Sequence, residues 1–172
     1  ESALERVCPN IDLFLRNFRT DGQVISNGIF LDVVRVCRSK DGQTECGDTN
    51  CGFDCGKNKY ALCIVDGMGT GKPAAEQSKR ISATVRTMIS RGVPKTDIMD
   101  MVNTALYNGK EDSVLSFDMS IVDLDSAQCE MLKADASPTF ICRGGNVYCV
   151  GRRSLPLGAD ETPDSFSSTC TL

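Results

Sequence analysis

The sequence predicts an α+β domain with a mainly antiparallel sheet. Three observations lead there. Short runs rich in β-branched and aromatic residues occupy both parts of the chain, two amphipathic helical stretches lie together between them, and glycine-rich turns separate neighbouring strands. With 172 residues, 41% of them hydrophobic, the chain can bury a substantial core in one unit.

Taken in order, residues 4–18 fit a short helix or irregular chain, and Asp21-Gly22 reads as a turn. The run IFLDVVRV before Cys37 reads as a strand, closed by Lys40-Asp41-Gly42. Segments 44–54 and 59–66 flank the turn Gly56-Lys57-Asn58 as a hairpin. From Pro73 to Arg91, apolar or small residues recur at Ala74, Ser78, Ile81, Val85, Met88 and Ile89, one face of a helix that Gly92 and Pro94 stop. A second helix is predicted from about Thr96 to Tyr107, with Ile98, Met99, Val102, Ala105 and Leu106 inward and Asn108-Gly109 as its stop. Strand signals follow at 116–124, 128–134, 139–143 and 146–150, with Gly144-Gly145 as a tight hairpin turn. Asp160, Glu161 and Asp164 then fall in a hydrophilic loop.

Composition narrows the chemistry. A net charge of −4 and a pI near 4.9 argue against nucleic acid or an acidic membrane surface as the main partner. No apolar run approaches the ~20 residues of a membrane span, and no signal peptide opens the chain. Because it starts at Glu1 rather than methionine, a cut-out or processed chain is expected. There is no histidine, which excludes Ser-His-Asp and Cys-His hydrolysis within the chain. Ten cysteines are present; Cys37, Cys63, Cys129, Cys142 and Cys149 sit in apolar strand-like runs, where a free thiol packs as a small hydrophobe. Mostly reduced thiols in a cytoplasm are therefore expected.

The stretch ALCIVDGMGTG (61–71) needs an explanation of its own. A phosphate-binding loop would require glycine where Asp66 stands and a hydroxyl where Pro73 stands, so that pattern fails. The dinucleotide pattern fails too, because its third glycine arrives one residue early, at Gly71. A three-residue loop at 56–58 instead places Asp48 directly opposite Asp66, with Cβ atoms ~4.5–5.5 Å apart. Two carboxylates so placed repel, and a divalent cation turns that repulsion into binding. The bland alternative makes Asp66 a helix cap and Asp48 a solvated loop residue, and spacing alone leaves both readings open. Cys46, Cys51 and Cys55 lack the second close pair of a structural zinc site; the same register sets Cys51 against Cys63 as a thiol pair. Asp118 and Asp123 read as ordinary strand-end or edge acids, Asp118 remaining a weak site candidate.

The run KDGQTECGDTN, then KYALCIVDGMGTG, then AAEQS, resembles the PPM (protein phosphatase 2C-like) metal-dependent serine/threonine phosphatases, in particular their stage II sporulation protein E branch. The resemblance covers about residues 33–160 in order. It includes Gly47-Asp48-Thr49, the DGMG of Asp66–Gly69, the segment 117–145 and SLPLG at Ser154–Gly158. It implies an α-β-β-α sandwich, with residues 1–32 as a lead-in and 33–172 as the phosphatase-like domain. The metal ligands it implies are Asp48, Asp66 and, through its carbonyl, Gly67, binding Mn2+ or Mg2+ in a two-metal site. Such a site activates water for in-line attack on a phosphoserine or phosphothreonine, with no histidine and no phosphoenzyme. The implied substrate is a phosphorylated regulatory protein of the anti-sigma-factor antagonist type. The helices at 73–92 and 96–107 would be a regulatory pair that completes the metal site.

Two further metal-binding aspartates expected of the family do not match Asp160, Glu161 or Asp164, so the C-terminal part of the domain is expected to be missing. A catalytically incomplete regulatory or binding module is accordingly the alternative function, and an exposed sheet edge would favour a homodimer. The expected setting is cytoplasmic, alone or as part of a larger membrane-attached protein.

Overall fold

A computed structural model describes residues 19–26, 29–36, 39, 42, 45–109 and 113–172. Five strands, β3 (Asp48–Asp54), β4 (Lys59–Gly67), β5 (Leu115–Asp123), β6 (Gln128–Ala134) and β9 (Phe166–Thr171), form one antiparallel sheet in that order. Two hairpins stand apart from it: β1 (Arg19–Ser26) with β2 (Ile29–Arg35), and β7 (Thr139–Arg143) with β8 (Asn146–Val150). Helices α1 (Lys72–Ser90) and α2 (Lys95–Tyr107) follow β4.

Side chains alternate across a strand, so each sheet face reads every second residue. One face carries Ala61, Cys63, Val65, Phe117, Met119, Leu132 and Ala134, packed under Ile81, Val85 and Ile89 of α1 and Ile98, Val102 and Leu106 of α2. The opposite face carries Val122, Cys129 and Met131, against which Ile29, Leu31, Ile141 and Val150 of the hairpins pack. The layers are thus helices, five-stranded sheet and hairpins.

The helices are stopped as their sequence foretells. Gly92, at φ 75°, donates its N–H to the Ile89 carbonyl (2.9 Å), while Val93 N–H reaches Met88 (3.1 Å). That pairing uses the orphan carbonyls of the last turn, and half-buried Val93 packs on the core. Within α2, buried Asn103 holds the SLPLG segment. Its Oδ1 accepts from Gly158 N–H (2.8 Å), and its amide donates to the carbonyls of Asp160 (3.0 Å) and Glu161 (3.2 Å). Fully buried Leu157 bridges to Leu115.

The structure corrects four expectations. Asp21-Gly22 is no turn; it lies inside β1, where the register against β2 slips between Thr20 and Gln23, so the extra residue is absorbed as a bulge. Cys142 and Cys149 are exposed, not buried, because their hairpin leaves one face open. Phe166–Thr171 forms β9 on the edge of the main sheet, where no strand was expected after Val150. Asp118 is not an edge acid: it sits in the middle of β5, flanked by β4 and β6. The reading of residues 4–18 and the packing of Cys37 lie outside the described residues.

Candidate metal centre

The β3–β4 register is the one the hairpin turn dictates. Asp48 pairs with Asp66, and Cys51 with Cys63. Both acids emerge on the hairpin side of the sheet, at the end of β4 where the chain turns into α1. Gly69 (φ 105°) and Gly71 (φ 72°) make that turn, and Pro73 lies in the first turn of α1.

Gly67 sits where a side chain cannot fit, since a Cβ there would lie 2.7 Å from the Ala74 carbonyl oxygen. A Cβ on Gly47 would stand 3.3 Å from the Ala74 methyl and 3.9 Å from the carbonyl oxygens of both Gly67 and Gly69. Backbone oxygens of the glycine turn therefore converge on the start of β3, beside Asp48. Two carboxylates and neighbouring carbonyls are a hard-oxygen donor set, which suits Mg2+ or Mn2+ and not zinc. Among the described residues, no group of three or more His, Cys, Asp or Glu side chains could hold a metal ion. For such an ion the acid pair would give only a partial shell.

Ser78 of α1 fastens this shell from behind. Its buried hydroxyl donates to the Gly47 carbonyl (2.7 Å) and lies 2.8 Å from the Thr49 hydroxyl, so α1 grips the residues on either side of Asp48. The serine of AAEQS and the threonine after Asp48 meet only because the helix folds back over the hairpin.

A cleft of about 250 Å³ lies over the acids, lined by Asp48, Ile64, Asp66, Ser116, Asp118 and the 135–137 segment. Ser116, opposite Asp66 across β4–β5, donates to Asp135 (3.2 Å). Asp135 has a left-handed backbone (φ 49°), and its N–H is held by the Ser154 hydroxyl (2.7 Å). Asp118 pairs with the ammonium of Lys133, its cross-strand neighbour, which also donates to the Ser137 carbonyl (3.0 Å). Lys133 is only 2% exposed, so a buried cation braces the cleft floor. Partial burial, then the Asp48 carboxylate, then Asp135, push the Asp66 carboxyl up to about 6.

The acid pair was legible in sequence; Ser116, Lys133, Asp135 and Ser78 were not. A lysine inside the run EMLKA was the one available signal, since a charge within an apolar strand asks for a partner.

Comparison with known proteins places the fold. The family model for stage II sporulation protein E (SpoIIE) matches residues 56–172. Stage II sporulation protein E of Bacillus subtilis (strain 168) is 33% identical over 121 residues, which are 70% of this chain and 15% of that protein. The Priestia megaterium protein is 31% identical over 124 residues, 72% of this chain and 21% of its own length. The chain thus spans about a fifth or less of these relatives. The solved PP2C phosphatase domain of B. subtilis SpoIIE, with a fragment of its regulatory domain, superimposes with a TM-score of 0.70 at 28% identity. That superposition covers 90% of this chain and 43% of the other. RsbX in complex with magnesium shares the fold with a TM-score of 0.67 at 17% identity, covering 90% of this chain and 72% of the other. The main sheet under its two helices is the architecture of a PP2C phosphatase domain, and with well over half its length matched, the chain belongs to the stage II sporulation protein E family.

Proposed function

We propose that this chain acts, within its native protein, as a divalent-metal-dependent serine/threonine phosphatase domain, residues 33–172 being its phosphatase-like part after a lead-in at 1–32. The single observation behind this reading is the opposed pair Asp48–Asp66 beside the glycine-turn carbonyls, in a chain of this family. Asp48, Asp66 and the Gly67 carbonyl would hold Mn2+ or Mg2+. A bound ion of that kind lowers the pKa of water and neutralises charge on a phosphoryl group. The chain's own part is to fix the ligands. The β-ladder sets the separation of the acids, Ser78 holds the segment around Asp48, and the Lys133–Asp118 pair keeps the cleft floor in place. The cleft opens to solvent, which suits a phosphoserine or phosphothreonine carried by another protein. We take that protein to be a phosphorylated regulator of the anti-sigma-factor antagonist type, met in the cytoplasm. Among the described residues no helix is long and apolar enough to cross a membrane. Helices α1 and α2 serve as the regulatory pair, with Ser78 as the contact through which they reach the acids.

One observation favours a second reading. The two-carboxylate shell is too sparse for a two-metal centre on its own, which fits a regulatory module that keeps the fold without turnover. Manganese-dependent hydrolysis of a phosphoserine protein by the full-length parent separates the two. Asp66→Asn and Asp48→Asn should each lower it at least about 100-fold while the melting transition persists. Near-wild-type turnover by either variant would sink the assignment, and no turnover by the parent with either metal would favour the module.

A further inference from the structure

Three positions along β3 and β4 from the acids, on the helix side of the sheet, Cys51 stands directly opposite Cys63. Cys63 is 1% exposed and Cys51 is half-buried under α1. The Ser82 hydroxyl lies 3.1 Å from Cys51 Sγ, and the Cys63 thiol hydrogen-bonds to the same sulfur. Arg35 and Arg86 add positive charge nearby, Arg86 lying over the Phe53 ring at 5.3 Å. Two hydrogen-bonding neighbours and two cations around one sulfur stabilise its anion. They hold the Cys51 thiol down at about 6, the bond from Cys63 contributing most and burial opposing it, whereas that bond and then burial push Cys63 up.

The backbone already allows a bond between these sulfurs. Directly opposed residues of an antiparallel pair have Cα atoms about 4.5 or 5.5 Å apart, inside the ~4.4–6.8 Å that a disulfide spans. Cys129 and Cys170 are opposed in the same way across β6–β9. There, burial first and Cys170 next push Cys129 up to about 11, so that pair has the geometry without the activated thiolate. Exposed Cys142 and Cys149 face Val147 and Phe140, not each other.

We propose that Cys51 and Cys63 form a hydroperoxide-reactive modification site, with Cys51 as the attacking thiolate and Cys63 as the resolving thiol. The Cys51 sulfur attacks one peroxide oxygen. An S–O bond forms, the O–O bond breaks, and hydroxide departs to take up a proton. The sulfur is oxidised to sulfenic acid as the peroxide is reduced. The Cys63 sulfur then attacks the Cys51 sulfur; the S–S bond forms, the S–O bond breaks, and the hydroxyl leaves as water with the proton from Cys63. Hydrogen peroxide and two thiols thus give one disulfide and two waters. The product ties together the two strands that present Asp48 and Asp66.

The test uses the fully reduced chain near neutral pH, with one equivalent of hydrogen peroxide, an alkylating quench and peptide mass mapping. Cys51–Cys63 should be the first disulfide, and Cys51 should react about fivefold faster than an ordinary exposed thiol. That factor combines its larger thiolate fraction with its lower intrinsic nucleophilicity. In a Cys63→Ala chain, Cys51 should instead accumulate as a sulfenic acid trapped by dimedone. Mapping needs no variant, so a folding defect in Cys63→Ala leaves the result readable. A first disulfide at Cys129–Cys170 or elsewhere, or a Cys51 no faster than an ordinary thiol, would overturn the proposal.

Discussion

The two faces of the central sheet are built from the same strands by opposite rules. The helix face is mainly apolar: Ala61, Val65, Phe117 and Met119 are at most 1% exposed and rest under two helices. The hairpin face is apolar only toward Val122 and Met131. Toward the other end it becomes a row of Asp48, Asp66, Ser116, Asp118 and Lys133, with Ile64 left 51% exposed. One face is held by shape and the other by charge. Since each strand contributes alternately to both, the stable face can carry the strain that repelling carboxylates impose on the other.

Breaking the helix face should cost most. Phe117→Ala empties a fully enclosed site and should lower the unfolding free energy by about 4 kcal/mol, read by urea denaturation. A loss under about 1 kcal/mol would show that this face is not the main source of stability.

The hairpin face should respond to charge where the helix face responds to volume. Lys133→Met keeps most of the buried volume but leaves Asp118 without its partner, and should cost about 3 kcal/mol. Adding Asp118→Leu should recover most of that loss, because the orphaned carboxylate is then gone. If Lys133→Met proves neutral, packing alone holds this face and the contrast fails.

Ser78 joins the faces, reaching from α1 to the residues around Asp48. Ser78→Ala should cost about 1 kcal/mol by removing buried hydrogen bonds. It should also weaken manganese binding, measured calorimetrically, more than an exposed change such as Thr84→Ala on the same helix. Equal effects would mean that α1 does not position the acid.

The smallest effect sharpens the comparison through pH. With its carboxyl raised to about 6 in the fold, Asp66 keeps a proton that the unfolded chain has already released. Its stabilising contribution is therefore complete below about pH 4 and lost as pH rises through about 6. Metal binding runs the opposite way, since the cation competes with that proton, so affinity should climb through about pH 6 and then level off. Asp66→Asn should flatten both profiles, whereas Phe117→Ala should shift stability by the same amount across that range.

The sequence by itself determined the local architecture. Glycine and proline punctuation placed both helices to within a residue or two, and the short 56–58 turn fixed which residues of β3 and β4 face each other. Asp48 met Asp66, and Cys51 met Cys63, because a tight hairpin leaves its strands little choice of register. Only the tertiary structure decided what surrounds that pair. Ser116, Asp135 and Lys133 reach the cleft because β5 docks on β4 and β6 on β5, and Ser78 reaches the residues beside Asp48 from the helix side because α1 folds back over the hairpin. Edge strand β9 was hidden for a related reason. FSSTCT has no clean apolar alternation, and becomes a strand by pairing with β6 from far along the chain. Register across a tight turn is a local property, and a sequence window contains it. Sheet order and helix docking join residues tens of positions apart, and their energy lies in surfaces that exist only once both partners have folded.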